Sequence, residues 1–304
     1  EYGIDACLYT AGYGHHGTIA LGSILCGETN PSGRLVDTWA YDFQSSPAMT
    51  NFGAFTYTNA DQMLTAENRI TENPEKVEHY VVYAEGIYIG YKYYETRYED
   101  AVLGNGDADS DVGSSTEDSW KYSDEVQYPF GYGLSYTDFS LEIVEEECSY
   151  DPEKKGEEFT IAVKVTNTGD VAGKRSVQLY VQAPYIEYGV EKSSVQLVGF
   201  GKTGVLAPAG QEGDSETIKI TVDKYLLASY DYEGLNDNGV TGYILDAGDY
   251  RFAVGDSVHD ALNYILADKD ATGMTNHDGS DFAPDATNHV WKWNLAELDT
   301  ETYH

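Results

Sequence analysis

The sequence predicts an α/β layer over residues 1–137 followed by an all-β sandwich over residues 138–266, with 267–304 as a polar tail or linker. Three observations predict this. An apolar run, a helical repeat and a second apolar run succeed one another within the first forty residues, which is α/β patterning with parallel pairing expected. Period-two strands separated by turn clusters fill residues 159–254. Between the two lies Tyr128–Phe139, YPFGYGLSYTDF, which is aromatic, glycine-punctuated and nearly uncharged.

Ala6–Thr10 (ACLYT) is read as a short buried strand. Gly12, Gly14 and Gly17 make a loose turn, and from Thr18 the residues Ile19, Leu21, Ile24 and Leu25 repeat at helical spacing. Asn30-Pro-Ser-Gly33 stops that helix, because the residue before a proline disfavours helical angles. Leu35–Trp39 is expected to be the next strand. Residues 40–79 are irregular, with Phe52, Phe55 and Tyr57 beside Asn51 and Asn59 as packing aromatics of a long loop. Alternation of Ile87, Ile89, Tyr91 and Tyr93 suggests a strand. Residues 104–127 form an acidic, serine-rich insertion with almost nothing to bury, expected to be solvated and disordered.

In Tyr128–Phe139, Pro129 fixes its own φ and pushes Tyr128 toward extension. Phe130, Tyr132, Leu134, Tyr136 and Phe139 carry too much apolar area to leave in water at roughly 25 cal/mol per Å², so a buried crossing segment is expected. Beyond it, Phe159–Val165 alternates cleanly, as a half-buried strand does. Val177–Val181, Val195–Phe200, Ile218–Val222 and Tyr250–Val254 complete an antiparallel set. Ser257 caps a helix on which Val258, Ala261, Leu262 and Ile265 share one face.

Composition narrows the function. Eighteen basic residues against 52 acidic ones leave a net charge of −34 over 304 residues, which disfavours nucleic acid and anionic membranes as partners. Twenty-seven tyrosines suit sheet surfaces and sugar contacts. Cys7, Cys26 and Cys148 fit no zinc spacing and no disulfide framework; they read as three core thiols in a reducing compartment. No run of eighteen apolar residues suggests a membrane span. The glycines around His15 and His16 match no phosphate loop, and the adjacent histidines lack the geometry of a metal pair. Asp107, Asp109, Asp111 and Asp118 approach calcium-loop spacing, but the glycine falls one place late, at Gly113, and the last ligand is not glutamate.

Several phrases resemble glycoside hydrolase family 3, the β-glucosidase family. They are Ala11–Gly17 with the following helix, Gly27-Glu-Thr-Asn-Pro-Ser-Gly-Arg-Leu35, Tyr83–Tyr94 and Pro129–Phe139. Val36 stands where the family usually has proline, and Lys92 where it usually has arginine. The wording VTNTGDVAGKRSVQLYV, VGFGKTGVLAPAG and LDAGDYRFAVGDS resembles the fibronectin type III-like domain of the same family. The resemblance covers residues 5 to about 256. It implies a partial α/β sandwich domain, an immunoglobulin/fibronectin type III-like sandwich and a retaining reaction on terminal β-D-glucosides of oligosaccharides.

A retaining glycosidase needs two carboxyl groups flanking the scissile bond. The family's nucleophilic aspartate lies on a (β/α)₈ barrel, which needs about 250 residues of its own. Its acid/base glutamate precedes the NPSGRL phrase. The expectation is therefore no catalytic, cofactor-binding or metal residue in this chain. Glu85 is expected to be a hydrogen-bond acceptor of the fold and Arg34 a structural ion-pair residue, with a place near the sugar as the alternative for Arg34. The implied partners are a β-linked glycoside and a barrel domain in cis, expected downstream as in reversed-order members, with a natural N-terminus upstream of Glu1. A non-catalytic carbohydrate-binding or cell-surface β-sandwich module is the alternative from another functional class.

Overall fold

The computed structural model describes residues 6–10, 12, 14, 16–50, 52, 58, 81–154 and 156–303. Its centre is an antiparallel β-sandwich. One sheet carries β6 (Ser176–Gln182), β7 (Gln196–Lys202), β11 (Gly248–Val254) and β12 (Val290–Leu295) in the order β12-β11-β6-β7. The other is built on β5 (Glu158–Asn167). β3 (Phe139–Ile143) and β4 (Ser149–Asp151) share one edge of β5, and β8 (Ser215–Asp223) pairs along the other. β9 (Ser229–Asp231) and β10 (Gly242–Ile244) form a small separate ribbon.

Alternation decides the packing. Phe159, Ile161, Val163 and Val165 of β5 face Val177, Leu179, Val181, Tyr250, Phe252 and Val254 of the opposing sheet. The intervening residues Tyr180 and Ala253 point the other way, onto a helix, α5 (Val258–Asp268), through Val258, Ala261 and Ile265. The β6–β11 sheet is thus buried on both faces where Leu179–Val181 and Phe252–Val254 pair, and there both strands are continuously apolar. Ser257 caps α5, its hydroxyl accepting from Asp260 N–H. Val258, Ala261, Leu262 and Ile265 are fully buried, as the helical spacing predicts.

A further layer covers α5. Helix α3 (Tyr91–Leu103) lays Tyr94 and Tyr98 against Leu262 and Leu266, with Trp120, Tyr122 and Val126 completing the cluster. The remaining short elements are α1 (Gly17–Leu25), β1 (Trp39–Ala40), α2 (Pro47–Thr50), α4 (Tyr122–Glu125) and β2 (Val126–Tyr128), with β1 and β2 antiparallel.

The aromatic-glycine stretch and the NPSGRL phrase run side by side. Leu35 N–H donates to Tyr132 O at 2.8 Å, and Gly131 N–H donates to Leu35 O at 2.9 Å. A Cβ on Gly133 would sit 2.6 Å from Gly33 O, a backbone atom that cannot step aside. Gly131 holds φ +85, and a Cβ there would meet Gln178 Oε1 at 2.3 Å and Tyr180 Oη at 2.9 Å. Val258 N–H donates to Phe130 O, tying α5 to the same segment. Pro129 and Gly131 are buried and Phe130 half-buried, whereas Leu134 and Tyr136 are exposed, against the expectation for those two residues.

Other expectations are corrected. Ala6–Thr10 is exposed and forms no strand, and the strand expected at Leu35–Trp39 reduces to the two residues of β1. Every strand pairing among the described residues is antiparallel, so no parallel pair is seen. The strand expected over 87–93 gives way to α3. Gly90 at φ +56 turns the chain, and Tyr91, Tyr94 and Tyr98 already hold helical spacing. The insertion is anchored by Trp120 and Tyr122, both buried, rather than solvated throughout. Residues 267–304 are no mere linker: β12 pairs with β11 from Gly248↔Leu295 to Ala253↔Val290. Trp293 stands 5.0 Å from Phe159 between ring centroids, and Trp291 stands 5.6 Å from Phe252. Cys7 and Cys26 are exposed and only Cys148 is half-buried, so the three are not core thiols.

Two predictions follow from this packing. A fragment of residues 138–266 lacks β12 and uncovers the β11 edge. It will resist proteolysis and denaturant less than a fragment of residues 138–303; equal resistance would remove β12 from the cooperative core. Gly133→Ala will cost roughly 1–3 kcal/mol in a denaturant melt, the scale of overpacking. Gly204→Ala is the control, since a Cβ there meets nothing nearer than 3.5 Å, and it will stay within about 0.5 kcal/mol of the parent.

Candidate functional site

Two polar constellations form where α3 meets the sandwich. The first is fully buried. Glu95 of α3 and His259 of α5 are both inaccessible to solvent, with His259 Nδ1 2.9 Å from Glu95 Oε2. Tyr122 Oη donates to Glu95 Oε1 at 2.5 Å, and its ring stacks on His259 at 3.8 Å between centroids. His259 Nε2 lies 2.9 Å from Thr275 O, which also accepts from Asn263 Nδ2. Tyr98 Oη donates to Asn263 Oδ1 and accepts from Thr275 N–H, both at 2.7 Å. Burial disfavours a charged His259, but Glu95, Asp260 and the Thr275 carbonyl outweigh it, and the imidazole pKa is raised above its ordinary value. Burial and Glu95 together push the Tyr122 phenol well up.

The second is an open groove of about 820 Å³ between the C-terminal half of α3 and the segment 183–194 that follows β6. At its base Gln182 Nε2 donates to both Glu99 carboxyl oxygens at 3.1 and 3.0 Å. Lys269 Nζ donates to Glu99 Oε1 at 2.7 Å and to Gln182 Oε1 at 2.9 Å. Along the rim Tyr88 donates to Glu191. Burial pushes the Asp100 carboxyl up against the hydrogen bond from Asn105, with Glu99 and Glu191 adding to the rise.

The residues weighed in the sequence lie elsewhere. Arg34 Nη1 donates to Gly133 O at 2.5 Å, which is a structural contact of the seam. Asn30 works with it: its Oδ1 accepts from Ser135 Oγ and Tyr136 N–H, and its Nδ2 donates to Ala172 O. Glu85 sits half-buried in a turn, its carbonyl accepting from Tyr88 N–H. His16 is exposed at the start of α1; His15, Asn51, Phe55, Tyr57 and Asn59 lie outside the described residues. Asp107, Asp109, Asp111 and Asp118 are exposed, and among the described residues no three His, Cys, Asp or Glu side chains converge as metal ligands. No helix among the described residues is long and apolar enough to cross a membrane. The sequence reading missed Glu95, His259, Glu99, Gln182 and Lys269. A signal existed in the i, i+4 pairs Glu95/Glu99 and His259/Asn263, each set into an apolar helical face.

A two-sheet sandwich with a helix and an α/β layer docked on one sheet defines the class: a fibronectin type III-like domain joined to part of an α/β domain. Residues 175–258 match the fibronectin type III-like family model. A β-glucosidase of Ruminococcus albus is 32% identical over 272 residues, covering 90% of this chain and 22% of that protein. The solved β-glucosidase of Paenibacillus barengoltzii superposes with a TM-score of 0.59 at 28% identity, covering 93% of this chain and 22% of its own. The family 3 β-glucosidase of Bifidobacterium adolescentis gives 0.53 at 25% identity, covering 81% and 27%. Over most of its length the chain is similar to one portion of these β-glucosidases. It spans only about a quarter of the length of these relatives.

The buried network predicts a pH dependence. With its folded pKa raised, His259 contributes stability that is complete below the unfolded value near 6.5 and is lost as pH rises through the folded value. Denaturant melts will therefore weaken from neutral toward alkaline pH, and Glu95→Gln will flatten that slope. Glu95→Ala leaves His259 and Tyr122 buried without their partner and will cost roughly 3–5 kcal/mol.

Proposed function

We propose that this chain is the supporting portion of a retaining β-glucosidase-type glycoside hydrolase acting on terminal β-D-glucosides. In this reading the nucleophile and the acid/base carboxyl are carried by polypeptide other than residues 1–304, the nucleophile on a barrel domain in cis. One observation carries it. α1, GTIALGSIL, is uncharged and largely apolar, yet none of its residues is buried. Ile19 is 70% exposed and Leu25 69%, and Val36, Tyr41, Phe43 and Leu134 are exposed in the same half of the chain. Exposed apolar surface on this scale marks an interface. The sandwich has a continuous internal core, although single apolar side chains such as Phe200 and Val205 are exposed there too. An α/β layer finished on its sandwich side and bare on α1 fits a part that docks against a further domain.

The groove carboxylates do not supply a competing catalytic pair in this reading. Glu99 is held by Gln182 and Lys269, Glu191 accepts from Tyr88, and Asp100 accepts from Asn105. A retaining mechanism needs one carboxylate free to attack and one proton donor poised at the leaving oxygen.

Hydrolysis of p-nitrophenyl β-D-glucopyranoside tests the proposal. The purified 304-residue chain will show no turnover, and the longer gene product will show it. Turnover by the chain alone that disappears in Glu99→Gln, Asp100→Asn or Glu191→Gln would place the chemistry in the groove and overturn the reading.

A further inference from the structure

We infer that the groove between α3 and segment 183–194 is an accessory binding site for a neutral oligosaccharide, separate from any reacting centre. Its volume of about 820 Å³ falls in the range of sites that enclose small molecules. The polar groups around it are unevenly used. Ser194 is 93% buried, lines the groove, and its hydroxyl has no hydrogen-bond partner in the protein. A buried hydroxyl without a partner calls for a ligand group or a water. Tyr185, 57% exposed, stands at the rim with Tyr88, giving an aromatic face of the kind that takes the apolar side of a pyranose ring.

Charge selects the ligand class. The three lining cations are already engaged: Lys192 by Asp246, Arg251 by Asp268 and Lys269 by Glu99. Asp100, Glu187 and Glu191 leave the lining acidic in excess, within a chain of net charge −34. Anionic sugars and phosphates are repelled from such a groove. The lining carboxylates do not meet as a metal-ligand cluster, which disfavours a divalent cation. A neutral polyol remains, and its hydroxyls donate to carboxylates and accept from the Asn105 amide. Choosing a β-linked glucose oligomer as that polyol rests on the proposed hydrolase reading; the groove chemistry itself does not.

Isothermal titration of the complete 304-residue chain tests this, with cellotetraose as probe and tetragalacturonate and calcium chloride as separate titrants. Saturable binding of cellotetraose alone is expected. Tyr185→Ala will weaken it at least tenfold with an unchanged melting temperature, because the ring is mostly in solvent, and Tyr185→Trp will retain it. Absence of saturable cellotetraose binding, or binding that Tyr185→Ala leaves intact, overturns the inference. Calcium uptake abolished by Asp100→Asn would also overturn it, in favour of a cation site. Binding is read without turnover, so a hydrolytically silent full-length protein would sink the hydrolase reading alone, and a silent titration would sink the groove alone.

Discussion

The close passage of two backbones, the NPSGRL phrase beside the PFGYGL phrase, is the constraint on which the structure depends. A side chain at Gly133 would strike the Gly33 carbonyl, and one at Gly131 would strike Gln178 and Tyr180 of β6. The contact therefore requires glycine on the crossing segment. In return, two backbone hydrogen bonds join Leu35 to Gly131 and Tyr132, and Arg34 reaches the Gly133 carbonyl. The α/β portion is thus fixed to the sandwich by main-chain geometry at the seam as well as by the apolar packing of α3 on α5. Asn30, held by Ser135, Tyr136 and Ala172, closes the far side of the same seam.

Above the seam the layers are joined by polar chemistry placed where water is absent. Glu95 and His259 exchange a charged contact inside an otherwise apolar stack of α3 on α5. Taking both groups out of water costs several kcal/mol each, and the pair regains this only because the groups that touch it directly are themselves hydrogen-bonded. Tyr122, Tyr98, Asn263 and the Thr275 backbone complete that set. Such an arrangement adds little net stability over an apolar one, but it tolerates a single register of α3 on α5. The groove lies at the end of the same helix, so its position inherits that register.

The large negative charge and the unburied apolar side chains of the first region have separate consequences. The charge keeps polyanions away and is indifferent to a neutral sugar. Exposed apolar side chains lie on α1 and on the seam's outer side, and others, among them Phe200 and Val205, lie on the sandwich, whose internal core is nonetheless continuous. One chain therefore combines a sandwich that has its own core with a first region whose helix α1 buries none of its residues, in keeping with the proposed role as a support for chemistry located elsewhere.

Much of the sandwich was legible because its cause is local. Period-two alternation from Phe159 to Val165 sets which side chains face the core, whatever lies opposite. The Ser257 cap and the α5 face were readable for the same reason, and the glycines of the seam announced a close approach without naming the partner. What only the tertiary structure decided involves residues distant in sequence. Tyr91–Leu103 became a helix because Tyr94 and Tyr98 pack on α5, more than 150 residues away, overriding a short alternation that suggested a strand. β12 joined the sheet because β11 offered an unpaired edge and Phe159 and Phe252 offered surface for two tryptophans. Glu95–His259 and the groove exist only through that same docking. Local periodicity carries no record of such pairings, because their energy comes from burial against partners the local window does not contain.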